Sequence, residues 1–316
     1  MELMASARAT AASGRGRWAL GAGTGAVTLA LAALAARHFA SMSWPLSTEH
    51  PGLLVGAAFL LVLAQALKAF GWGRLFTPAE RPTPMALAAG NGGAALVGVL
   101  LPGRFDDAMR IAVVRRYPGC PAGVRVLCLS LVMLGLIDSV ALAPLALAGA
   151  ALPSVGVGVR SGLALVAAGG VAAALVIAFL PRIAASRRML RFRVGRWVNP
   201  RTTSFRHASE AWALVSACWI VRAVAFFLLL AAFGVGWSLP LALLLLCAGA
   251  AAAALPVGLA GSATQVGVGG AALIATGVDA SRALDVAVSI GVLGVVTGTA
   301  VFVAAILWRS AVSLAA

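Results

Sequence analysis

Nine mostly apolar blocks alternate with short polar segments along the chain, at residues 18–36, 52–70, 84–101, 126–151, 160–181, 209–234, 238–257, 264–278 and 286–308. Crossing the hydrocarbon core as a helix takes about 20 residues, with a range near 17–25. The pattern therefore predicts an all-α polytopic membrane bundle. It has seven or eight spans, one or two re-entrant hairpins, and two interrupted segments that point to an inverted repeat.

The polar segments set the orientation. Arg8, Arg15 and Arg17 precede the first block, and eight arginines without an acid fill residues 182–206. Both segments belong in the cytoplasm by the positive-inside rule, so an even number of spans lies between them. Five blocks occupy that interval, so one of them does not cross. Residues 84–101 are the candidate, because Lys68, Arg74 and Arg81 precede them and Arg104, Arg110, Arg115, Arg116 and Arg125 follow. The expected form is a re-entrant hairpin that turns at Gly90-Asn91-Gly92-Gly93 and lines a cavity open to the cytoplasm. The alternative is a short straight helix with its glycines at a packing face. Later, Leu255-Pro256-Val257-Gly258 interrupts the apolar pattern much as Leu101-Pro102-Gly103 does. Paired interruptions of this kind mark inverted-repeat transporter cores. Both a crossing and a re-entrant course fit residues 264–278. The expected organisation is a cytoplasmic tail at 1–17, a transmembrane domain at 18–309 and a short tail at 310–316, in a bacterial cytoplasmic membrane with the N-terminus inside.

Composition agrees and narrows the function. Of 316 residues, 62% are apolar and 10% charged, against roughly 45–50% and about 25% in soluble domains. That excludes a cytosolic enzyme, a secreted disulfide scaffold and a disordered tail. The net charge of +15 sits in loops between apolar blocks, so it reads as topology and not as nucleic-acid binding. Cys120, Cys128, Cys218 and Cys247 form no CxxC pair and read as small buried hydrophobes. His38, His50 and His207 are scattered. No Ser-His-Asp set, HExxH, P-loop or GxGxxG is present. No enzyme activity, metal or cofactor is expected.

The richest polar run is Pro102-Gly103-Arg104-Phe105-Asp106-Asp107-Ala108-Met109-Arg110. Pro-Gly breaks one helix, and Asp106 or Asp107 suits the positive end of the next. Arg110 lies three and four residues beyond these acids, within pairing reach on one face. Arg104 is then free to meet a phosphate by two parallel hydrogen bonds, with Asn91, Asp107 and Arg110 completing a headgroup site. Two charges fall inside spans, Asp138 and Arg222, each costing about 2.5–3.5 kcal/mol to insert. The economical reading pairs them across the bundle as a brace or gate; otherwise one of them binds substrate. Lys68, near a span end, is expected to snorkel. Pro256, Gly261 and Gln265 mark the second interrupted segment.

The run Pro102-Gly103-Arg104-x-Asp106-Asp107-x-x-Arg110 resembles a motif of the lysylphosphatidylglycerol synthase transmembrane region family, the flippase-like integral membrane proteins. That motif reads Pro-Gly-Arg-x-Gly-Glu-x-x-Arg; Asp107 stands for its Glu and Asp106 for its second Gly. Asp138 resembles a later family Asp, though Leu134 and Gly135 replace the Glu-Arg before it. A late Pro-Gly-Gly-x-Gly-x-x-Glu motif survives only in Pro256, Gly261 and the Gly277-Val278 spacing, with Gln265 or Val266 in the place of the acid. The resemblance implies a stand-alone member, without the synthase's cytosolic domain, that binds and translocates an anionic phospholipid or polyprenyl-phosphate lipid. Its partner is then a membrane lipid. The alternative is a non-transporting scaffold for an envelope-biosynthesis enzyme.

Overall fold

The structure is a computed structural model that describes residues 48, 50–100, 105–151, 156–201, 204–254 and 261–315. The described residues form helices joined by turns, with no strand among them. In chain order they are α1 (Pro51–Gly73), α2 (Pro84–Leu100), α3 (Phe105–Arg116), α4 (Val124–Ala150) and α5 (Val157–Ala184). Two short helices follow, α6 (Arg187–Leu190) and α7 (Arg193–Val198), then α8 (Phe205–Ala232), α9 (Leu239–Ala254), α10 (Gly261–Ala275) and α11 (Ala280–Ala315).

Five of these, α1, α4, α5, α8 and α11, are long and apolar enough to cross a membrane. This is the plan of a multi-pass membrane protein. Apolar side chains such as Phe59, Val132, Leu165 and Ile220 point outward, where lipid and not water is the compatible solvent. The expected seven or eight spans are thus five among the described residues. The block at 18–36 lies outside them, as does the tail at 1–17. The blocks at 238–257 and 264–278 form α9 and α10, of 16 and 15 residues, short of the length a crossing takes. The 310–316 tail continues α11 as far as Ala315.

Small residues let the long helices close on one another. A Cβ on Gly71 of α1 would lie 3.0 Å from the Val215 side chain and 3.4 Å from the Ala211 carbonyl of α8. One on Gly170 of α5 would lie 2.5 Å from Ala143 and from the Ser139 carbonyl of α4. Such close backbone approach replaces the hydrophobic drive that is absent between helices in lipid. Trp72, fully buried, donates its indole N–H to Ser130 Oγ at 2.9 Å and so ties α1 to α4.

The turn expected at Gly90-Asn91-Gly92-Gly93 is not there. These four residues sit inside the unbroken helix α2. A Cβ on Gly92 would come within 2.5 Å of the Gly298 carbonyl, and Gly298 in turn abuts Ala95. Glycine is required here by the contact with α11, not by a reversal of the chain.

The helical hairpin is instead α2 with α3. They run antiparallel, with Gly90 against Val114 and the Arg110 carbonyl, Gly93 against Val113, and Gly98 near Asp106. Their connection is the four residues 101–104, outside the described set. The pair starts and finishes at the same end of the bundle. Leu87 lies against Gly73 at the close of α1, and Tyr117 donates to the Ala305 carbonyl at 3.0 Å, late in α11. That end carries Arg74, Arg81, Arg116, Arg125, Arg201 and Arg206, and is called the basic end below.

α9 and α10 form a second antiparallel hairpin, with Gly269 against Leu245. It starts and finishes at the opposite end. Leu230, Ala242, Leu245, Leu273, Ala283 and Val286 make one buried cluster there, and Arg282 donates to the Gly234 carbonyl at 3.2 Å. Gly234, at φ +70°, supplies the left-handed residue that ends α8.

Candidate functional site

Halfway along α4, Asp138 meets Lys68 of α1. The ammonium donates to Oδ2 at 2.8 Å, and the two side chains are 13% and 19% exposed. Oδ1 accepts the indole N–H of Trp219, from α8, at 2.9 Å. Both carboxylate oxygens are therefore used. The same indole ring has the Lys68 ammonium 5.6 Å and the Arg222 guanidinium 5.1 Å from its centroid. Trp219 thus serves the carboxylate with its positive edge and the cations with its ring electrons.

This corrects two expectations. Asp138 pairs with Lys68 and not with Arg222, and Lys68 does not snorkel. The apolar run of α1 continues to Trp72 and Gly73, which leaves Lys68 more than a turn inside the helix. Its four-carbon stem then reaches along the helix toward Asp138. Arg222 lies three residues after Trp219, on the same side of α8. Among the described residues its buried Nε has no hydrogen-bond partner, nor has the buried hydroxyl of Ser216, one turn before Trp219. The three charges make two cations to one anion, so one positive charge is unbalanced within this group. Trp219 was missed in the sequence because an aromatic residue in an apolar run has no local mark of a polar role.

The hairpin carries the second polar group. Arg110 contacts Asp107 at 2.6 Å and Asp106 at 3.4 Å, as the three- and four-residue spacings predict. Both acids sit in the first turn of α3, where the helix dipole favours them. The Arg110 Nε is buried without a partner among the described residues. Asn91, on α2, is 4% exposed, and neither its amide oxygen nor its nitrogen has a partner among the described residues. An unsatisfied buried polar atom costs about 1–3 kcal/mol, so these atoms mark places suited to water or a polar ligand. Among the described residues no ion pair joins this group to the Lys68–Asp138 pair. Arg104 and Pro256 lie outside the described residues, as do the side chains of 261–266, including Gln265; Gly261 opens α10.

A search of protein-family models, of curated proteins and of solved structures finds no match to this chain. The resemblance to the synthase transmembrane region therefore rests on the quoted motif residues alone.

Proposed function

We propose that this chain translocates an anionic amphiphile, a phospholipid or a polyprenyl-phosphate lipid, across the cytoplasmic membrane. The observation that carries the reading is Arg222. It is a guanidinium at the middle of a span, with a buried Nε lacking a partner among the described residues, beside a lysine whose charge Asp138 already balances. A phosphate headgroup would supply both the missing charge and the missing acceptor.

The helix register supports a path for it. Leu87 is level with Gly73, so at about 1.5 Å per residue Leu100 comes level with Leu60, near the centre of α1. Gly149 lies near Leu243, so Ala254 comes level with Asp138. The C-terminal ends of α2 and α9 would then approach the bilayer midplane from opposite faces. Each hairpin is re-entrant in this reading, α2–α3 from the basic, cytoplasmic face and α9–α10 from the other. The pair forms an inverted repeat of broken segments, the arrangement that places a site at mid-depth. The assignment also obeys the charge rule. With a crossing at 18–36, both the N-terminus and the end of α11 lie inside, together with residues 182–206.

The test is reconstitution of the purified chain into vesicles carrying a head-labelled fluorescent phosphatidylglycerol, with dithionite quenching to count lipid that has changed leaflet. The wild type moves the label, and Arg222→Gln slows it at least about tenfold, the loss of one charge-assisted contact of roughly 1.5–3 kcal/mol. Arg222→Lys keeps part of the rate. Equal rates in folded wild type and Arg222→Gln overturn the role of Arg222. A folded wild type that moves no lipid overturns translocation and leaves the scaffold reading.

A further inference from the structure

The segment between α5 and α8 is a folded arm, not a plain loop. Ser186 caps α6 by accepting the Met189 N–H. α7 folds back so closely that a Cβ on Gly195 would collide with the Met189 carbonyl. Arg201 fastens the arm to the bundle. Its Nε and Nη2 both reach the Glu80 carboxylate, the shortest contact being 2.8 Å, and its guanidinium stacks 4.9 Å from the centroid of Trp197.

What the arm presents is one-signed. Arg187, Arg188, Arg191, Arg193 and Arg196 are all exposed, and none has a carboxylate partner among the described residues. Set among them are Phe192 and Val194, 64% and 66% exposed. Topology alone needs positive charge, but it does not need a rigid fold or large apolar side chains displayed between the arginines. A water-facing surface disfavours those apolar groups, whereas a headgroup layer accommodates both. The arm joins the ends of α5 and α8, two helices long and apolar enough to cross a membrane.

We infer that the arm is a docking surface for the anionic phospholipids of its own leaflet, with Phe192 and Val194 wedged among the acyl-chain roots and the five arginines on phosphates. Each basic side chain near such a surface contributes about fivefold in affinity. The arm therefore gathers anionic lipid at the basic end of the bundle. This inference does not depend on whether the chain moves lipid.

The purified full-length chain is titrated in detergent with dioleoylphosphatidylglycerol or dioleoylphosphatidylcholine, and lipid adducts are counted by native mass spectrometry. The wild type retains phosphatidylglycerol at least about tenfold better, equivalent to fewer than two such contacts. In an Arg222→Gln background, which removes any headgroup held at mid-span, replacing all five arginines by glutamine brings the ratio to near parity, while Arg125→Gln, elsewhere at the basic end, keeps the preference. Retained preference in the five-fold variant, or none in the wild type, overturns the inference. A second readout places the arm. A fluorophore on Phe192→Cys, in a chain whose four native cysteines are replaced by alanine, is quenched in nanodiscs by brominated acyl chains. Quenching only by aqueous iodide shows the arm to be in water, where a soluble partner and not the membrane would cover it, and contradicts the inference.

Discussion

Removing Asp138 separates a buried ion pair from a merely nearby one. At 2.8 Å and an effective dielectric near 20, the attraction between Lys68 and Asp138 is about 6 kcal/mol. Desolvation of the two ions offsets several kcal/mol per ion, so the net worth of the pair is small. Deleting one partner is different, because the other charge stays behind in a place that does not solvate it. Lys68→Met or Asp138→Leu alone should each destabilise the chain by about 3–5 kcal/mol. Apart from the Trp219 contact considered next, the double replacement should return close to wild type, which makes the coupling energy about 6–10 kcal/mol, of the order of the attraction itself and well above the roughly 0.5–3 kcal/mol usual for contacting residues. Asp138→Leu also leaves the Trp219 indole N–H without its acceptor, which adds roughly 1–3 kcal/mol to that variant and to the double. Trp219→Phe in the background of each variant isolates that contribution. The assay is unfolding in mixed micelles of mild detergent and sodium dodecyl sulfate, followed by near-ultraviolet circular dichroism. Arg222→Met combined with Asp138→Leu serves as the contrast and should show weaker coupling. Additive losses for Lys68 and Asp138, or stronger coupling of Asp138 to Arg222, would refute the pairing.

Two further outcomes follow from the packing. Gly92→Ala should cost about 1–3 kcal/mol in the same assay, because the added methyl meets the Gly298 carbonyl of a neighbouring helix; Gly98→Ala, whose Cβ would meet Asp106 at 3.8 Å, an ordinary van der Waals contact, should cost less. Tyr117→Phe removes the hydroxyl bonded to the Ala305 carbonyl and should cost about 1 kcal/mol. Burial raises the Tyr117 phenol above its ordinary value of 10.0, and Arg309 opposes this in part. The proton is then held more tightly in the folded chain than in the unfolded one. Its contribution is complete below pH 10 and declines as pH rises through the raised value, so wild type should lose stability there that Tyr117→Phe does not lose.

What the sequence made legible was whatever depends on composition along one helix. The apolar runs of α1, α4, α5, α8 and α11 could be read directly, because lipid demands an unbroken apolar surface at least about 17 residues long. The pairing of Arg110 with Asp106 and Asp107 was legible too, since helix geometry fixes those spacings. The hairpin was half legible. Basic residues on both sides of residues 84–101 announced a segment that returns, but glycine has two uses. At Gly90, Gly92 and Gly93 it serves close packing inside a helix, and that helix runs on unbroken to Leu100. Two helices therefore make the hairpin where one broken helix was expected. The partner of Asp138 was not legible at all. Position along a span gives depth and says nothing of which helix lies opposite, and a lysine stem spans enough distance to pair well away from its own Cα.

Sidedness labelling tests the arrangement most directly. Single cysteines replace Arg74, Arg116, Ser238 and Asp279, one at a time, in a chain whose native cysteines are alanine. A membrane-impermeant maleimide is then applied to intact cells and to inverted vesicles. If α2–α3 and α9–α10 each turn back within the bilayer, Arg74→Cys and Arg116→Cys react only in inverted vesicles, and Ser238→Cys and Asp279→Cys only in intact cells. Finding 74 and 116 on different sides, or 238 and 279 on different sides, would make that hairpin a pair of crossings and remove the mid-depth site built on it.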